Sequence, residues 1–100
     1  MLDSRLRAVR WIVRGRVQGV SYRYFTREAA RRLELTGWVR NLADGSVEVR
    51  VAGDSEVLER FRQELLAGPR AARVDAISEE PLDADELVRD LGHRGFDIRW

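Results

Sequence analysis

The chain has 100 residues, 18 of them basic and 17 acidic, a net charge of +1, 44% apolar and 35% charged residues, and no cysteine. That length makes a single domain over residues 1–100, able to bury roughly 60–70% of its unfolded surface, and the missing cysteines exclude disulfides, zinc–thiolate sites and thiol catalysis. The near balance of charge gives no general attraction to nucleic acid or to a membrane; every basic residue is an arginine, so each must be argued from its position.

No apolar run approaches the roughly 20 residues of a membrane span. The first residues, Met1 to Arg7, lack an apolar leader core. A soluble, cytoplasmic monomer is the default expectation, with no cofactor and no metal.

Residues 8–17 read as a strand, with Val9, Trp11, Val13 and Val17 alternating with Arg10, Arg14 and Arg16. Ile12 breaks the alternation and hints that the second face is partly covered. Residues 22–33 read as a helix, because Tyr22, Phe25, Ala29 and Leu33 recur at steps of three and four. Ser21 is placed to cap it.

Residues 37–41 and 46–51 read as a hairpin, with Asp44-Gly45 as the turn signal. Val47, Val49 and Val51 alternate with Ser46, Glu48 and Arg50, which buries one face and wets the other. Asp54 or Ser55 caps a second helix whose inner stripe is Val57, Leu58, Phe61, Leu65 and Leu66; Gly68-Pro69 stops it. Residues 73–78 read as a fourth strand and residues 96–100 as a short last one. The acidic stretch 81–92 reads equally as a short helix or a loop. His93, the single histidine, is expected at the surface; Trp11 and Trp38 in the core or on a sheet face. Trp100 is left open between packed and loose.

This order predicts an α+β fold of the ferredoxin-like, split β-α-β kind. It is a βαββαβ sandwich with an antiparallel sheet, two helices on one face, and a short C-terminal strand added at an edge. Such a fold hosts many functions, so the function must come from a site.

The segment between the first strand and first helix carries the chemistry. Gly15 and Gly19 bracket a turn formed by Arg16, Val17, Gln18, Gly19 and Val20, and Arg23 follows on the first helical turn. A turn of this kind gathers backbone N–H groups, a helix N-terminus and a guanidinium fork around one spot. That arrangement suits a small doubly charged anion, above all phosphate. Asn41, at the end of the second strand, is placed where it can meet this turn. Gln18 is expected to brace the loop, and Ser21 has no neighbouring base that would make it a nucleophile.

The run Val13-Arg14-Gly15-Arg16-Val17-Gln18-Gly19-Val20-Ser21-Tyr22-Arg23 resembles the first signature of the acylphosphatase family. Gly37-Trp38-Val39-Arg40-Asn41, then Asp44-Gly45-Ser46-Val47-Glu48 and on to Gly53, resembles the second. The likeness covers about residues 9–74 and returns at residues 95–99. Tyr22 departs from a phenylalanine common in the family. The N-terminal extension through Arg7 and the acidic stretch 81–92 are also unlike its compact members.

The resemblance implies metal-free hydrolysis of the carboxyl–phosphate anhydride of a small acyl phosphate. It implies that Arg23 and the loop amides of Arg16, Val17, Gln18, Gly19 and Val20 hold the phosphate, while Asn41 orients the attacking water. Two other readings stand beside it. One is an acylphosphatase-like module that binds an anion without turnover. The other is an RNA-binding module of the same topology, which the all-aliphatic and charged strand Val47-Glu48-Val49-Arg50-Val51 disfavours.

Overall fold

The computed structural model describes residues 6–91 and 95–100. His93 and the extension up to residue 5 lie outside the described residues. The elements are β1 (Leu6–Arg16), α1 (Tyr22–Arg32), β2 (Thr36–Asn41), β3 (Val47–Asp54), α2 (Ser55–Ala67), β4 (Arg73–Leu82), α3 (Ala84–Leu91) and β5 (Phe96–Ile98). The sheet order is β4-β1-β3-β2-β5, so the ferredoxin-like sandwich is present with β5 added at an edge.

Two features refine the expected picture. β5 pairs with β2 in parallel, so the sheet is mixed rather than purely antiparallel. Residues 84–91 form a helix, and α3 packs on the face opposite α1 and α2. Strand alternation separates the two faces. Val9, Trp11, Val13, Val39, Val47, Val49 and Val51 face α1 and α2 and join Tyr22, Ala29, Leu58, Phe61 and Leu65 in the main core. Each such valine or leucine taken out of water stabilises the fold by roughly 1.5–3 kcal/mol. Ala8, Trp38 and Ala52 face the other way and are covered by Leu87 and Leu91 of α3. The apolar hint at Ile12 therefore has its counterpart in this second, smaller cluster.

β4 runs to Leu82, past the expected end at residue 78. It is the edge strand beyond β1, so Pro81, opposite Val9, can lack an N–H without breaking a central ladder. α2 is capped as expected, with the Asp54 carboxylate accepting from the Glu56 amide at 2.9 Å.

The end of β1 that leads to the candidate site is bent. The pairing of β1 with β4 shifts register between Arg14 and Gly15. Gly15 has φ +136°, and a Cβ there would run into the carbonyl oxygen of Arg73. Only glycine lets the strand close up to its neighbour and still turn into the loop.

Candidate active site

α1 is held firmly at its start. The Tyr22 ring is buried, and its hydroxyl donates to the Leu65 carbonyl of α2 at 2.7 Å. Burial pushes the Tyr22 phenol above its ordinary pKa, so it remains a donor. That bond satisfies the buried hydroxyl of Tyr22 and joins the start of α1 to α2. Thr26 Oγ1 donates to the Tyr22 carbonyl at 2.9 Å and is fully buried. The first turn is thus pinned from within, and Arg23 projects from a rigid base.

The loop before α1 bends through two left-handed residues, Gly19 at φ 75° and Ser21 at φ 62°. Ser21 does not cap the helix with its hydroxyl, contrary to expectation. Its left-handed backbone serves the turn instead, which leaves the helix N-terminus open. Among the described residues, the amides of Val17, Gln18, Gly19 and Val20 donate to no backbone acceptor. Such a turn directs successive N–H groups to one side, the geometry of an anion nest. Val17 is buried and anchors the loop to the core.

Gln18 is the brace. Its Nε2 donates to the carbonyls of Leu42 and Ser46, each at 2.8 Å. These bonds tie the loop to the β2–β3 turn, directly beside Asn41. The turn is itself fixed, because the Asp44 carboxylate accepts from the Ser46 amide at 2.9 Å and the Ser46 hydroxyl at 2.6 Å. Those two bonds hold the Asp44 carboxyl below its ordinary pKa.

Asn41 ends β2 opposite Val47. Its Oδ1 is buried and has no hydrogen-bond partner among the described residues. An amide oxygen withdrawn from water without a partner costs about 1–3 kcal/mol, which a bound ligand or water would offset. Asn41 follows Val39 by two residues, so alternation points it to the helix side of the sheet, where α1 begins.

Arg23 is half-buried. Its guanidinium carbon lies 4.1 Å from the ring centroid of Trp100, and among the described residues no carboxylate pairs with it. The sequence left Trp100 open, yet the β5 register carries the signal. Val39 pairs with Ile98 in parallel, and the Arg99 amide donates to the Val39 carbonyl at 2.8 Å. Trp100 follows two residues after the end of β5. Arg16 is exposed at the mouth of the loop. The structure therefore ties the loop to the turn that follows Asn41 and sets Trp100 against Arg23 on the first turn of α1.

Among the described residues, no helix is long and apolar enough to cross a membrane.

The acylphosphatase family model matches residues 9–98. The acylphosphatase of Salinibacter ruber is 44% identical over 87 residues, which cover 87% of this chain and 86% of that relative. The acylphosphatase of Azoarcus sp. is 53% identical over 75 residues, covering 75% and 76%. The crystal structure of acylphosphatase from Bacillus subtilis superposes with a TM-score of 0.84 at 36% identity, covering 94% of this chain and 99% of that one.

Proposed function

This chain belongs to the acylphosphatase family, and we propose that it hydrolyses small acyl phosphates with Arg23, Asn41 and the loop of residues 16–20, without a metal. The phosphoryl group sits in the loop. The amides of Arg16, Val17, Gln18, Gly19 and Val20 and the positive end of α1 meet its oxygens. Arg23 supplies a planar fork that matches two of them.

Asn41 Oδ1 accepts a hydrogen bond from the attacking water and sets its lone pair toward phosphorus. The water oxygen forms a bond to phosphorus as the bond from phosphorus to the acyl oxygen breaks. The carboxylate leaves with the electron pair. An amide is a poor base, so the water proton passes to a non-bridging phosphate oxygen, and the products are a carboxylate and inorganic phosphate. A carboxylate is a good leaving group, and phosphoryl transfer of this kind depends mainly on positioning and charge stabilisation.

The observation that carries this reading is the buried Asn41 Oδ1 with no partner, beside a loop of open amides. An RNA-binding use of the sheet gains nothing from its outer face, where Trp38 is buried and lies against Arg40, Arg50 and Arg99.

The test is hydrolysis of benzoyl phosphate in the presence of a chelator, followed by ultraviolet absorbance, with wild type and Asn41→Ala side by side. We expect fast wild-type turnover. In the variant, kcat should fall by roughly 100-fold, the scale of one lost preorganised contact, while inhibition by inorganic phosphate stays within about threefold. A wild type no faster than buffer, yet folded and binding phosphate, would leave an anion-binding module. Collapse of phosphate binding in Asn41→Ala would move Asn41 from the water to the anion.

A further inference from the structure

Tyr22 is a buried ionisable side chain that the proposed hydrolysis does not use. Its hydroxyl meets a carbonyl that the neighbouring helix cannot satisfy. α2 ends at Ala67, and Gly68 at φ 65° turns the chain away from it. The Gly68 amide closes the last turn onto the Glu64 carbonyl at 2.9 Å. A helical carbonyl takes its N–H from four residues further on. For Leu65 that residue is Pro69, which has no N–H to give. Leu65 is fully buried, so its carbonyl would otherwise stand unpaired and away from water. The Tyr22 hydroxyl supplies the missing donor at 2.7 Å.

Tyr22 is held at its backbone as well. Its carbonyl accepts from Thr26 Oγ1 at 2.9 Å, and its ring lies against Phe25 with the centroids 6.1 Å apart. Gly68 abuts the same ring, since a Cβ there would stand 3.6 Å from Tyr22 Cε1. The chain leaving α2 enters β4 at Arg73, which pairs with Arg16 at the start of the loop. In sequence, Tyr22 stands between the loop and Arg23, so whatever fixes its ring fixes the backbone from which both extend.

We propose that Tyr22 is a positioning residue for the phosphate site: its bond to the Leu65 carbonyl latches the start of α1 to the end of α2, and that latch sets Arg23 and the loop amides at the spacing a phosphate requires. This rests on the phosphate-binding reading of Arg23 and the loop. Tyr22 is buried and touches no substrate; it acts by fixing the donors in advance. Donors held in place around an anion need no reorganisation when it binds or reacts. A misplacement of about 1 Å can cost roughly 100-fold in rate. Without the hydroxyl, the Leu65 carbonyl has no donor, the end of α2 loosens, and the first turn of α1 loosens with it.

The test is Tyr22→Phe, which keeps the ring and its packing and removes only the donor. Leu87→Ala is the control, because it opens the small cluster under α3 on the opposite face of the sheet. For wild type and both variants, kcat/KM for benzoyl phosphate is measured well below the melting temperature. Inorganic phosphate binding is followed by calorimetry and by the rise in melting temperature at one high phosphate concentration. Both variants should melt below wild type. In Tyr22→Phe, phosphate should bind about fivefold to tenfold more weakly and kcat/KM should fall about tenfold. The rise in melting temperature with phosphate should shrink, because a ligand stabilises the fold less when it binds less tightly. Leu87→Ala should keep phosphate affinity and kcat/KM within about twofold of wild type, as expected for a distant, independent site.

A Tyr22→Phe variant that melts lower yet binds phosphate and turns over like wild type would overturn the latch and leave the hydrolase reading standing. Equal losses in Tyr22→Phe and Leu87→Ala would also overturn it, by tracing both to stability alone. A wild type that binds phosphate without hydrolysing benzoyl phosphate, and loses that binding selectively in Tyr22→Phe, would uphold the latch and sink the hydrolase reading.

Discussion

At the loop end of α1, Arg23 stands half-buried against an indole, and among the described residues no carboxylate is paired to it. On the outer face of the sheet, Arg10, Arg40 and Arg50 all turn their Nε–H to one carboxylate, Glu48, at 2.6, 2.7 and 3.0 Å. Glu48 is fully buried. Alternation of β3 sends it to the outer face while Val47 and Val49 enter the core, and the register sets it opposite Ile12 and Arg40. In a chain whose cations are all arginine, residue type cannot tell a binding group from a structural one. Their partners differ. Three guanidinium groups are satisfied by the protein's own anion and hold strands together. Arg23 has no such partner among the described residues, in keeping with the proposal that an anion from outside satisfies it.

The comparison breaks if Arg23 and the sheet arginines can be exchanged without consequence. Arg23→Ala should lower kcat/KM for benzoyl phosphate by at least about 100-fold, as expected when one preorganised contact to the developing charge is lost. Inhibition by inorganic phosphate should weaken with it, and the melting temperature should barely move. Arg50→Ala should show the opposite pattern: hydrolysis near wild type and a stability loss of about 1 kcal/mol for one charge-assisted bond among three. Urea denaturation and initial rates on the same preparations decide it. Near-wild-type hydrolysis by Arg23→Ala would remove it from the phosphate site.

The same contrast explains what could be read from the sequence. The alternation of Val47, Val49 and Val51, the helical stripes and the Asp44-Gly45 turn report on one face of one element, so β3, both large helices and the hairpin were legible. So was the loop, because Gly15, Gly19 and Arg23 lie within nine residues of each other. α3 was not, because its stripe is only Leu87 and Leu91 and its target, Ala8, Trp38 and Ala52, is drawn from three strands. The far end of β4 was hidden by Glu79, Glu80 and Pro81, which an edge strand tolerates. Trp100 meets Arg23 across 77 residues through the parallel β2–β5 register, and no local pattern encodes a register.

Glu48 sharpens the comparison from the structural side. Glu48→Gln keeps the shape of the side chain but removes the charge on which three guanidinium groups converge. The loss should be roughly 2–4 kcal/mol, as for breaking a buried charge network at one member. It should lower Tm by about 10 °C or more in a domain of this size. Hydrolysis below the melting range should stay within about twofold of wild type, since the site stands on the other side of the sheet. A loss of activity at a temperature where the variant is still folded would show that the two regions are coupled through β2.

The smallest effect is the most specific, and it lies in the dependence of stability on acid. Burial pushes the Glu48 carboxyl up, but the hydrogen bonds from Arg10, Arg40 and Arg50 outweigh it and bring it from 4.5 down to about 2. A carboxyl held lower in the folded chain than in the unfolded one binds protons more readily after unfolding. Its contribution is complete above about pH 4.5 and drains away as the pH falls toward about 2. Wild-type Tm should therefore drop across that window. The Asp44 carboxyl is also held low by Ser46, and that of Glu64 by Arg32, so the wild-type curve alone does not isolate Glu48. The difference between wild type and Glu48→Gln does: it should be largest and constant from about pH 5 upward and shrink steadily below about pH 4.5, because the variant has no proton to gain at that position. A difference that stays constant down to pH 2 would mean that the three arginines do not hold Glu48 ionised, and the contrast with Arg23 would then rest on geometry without charge.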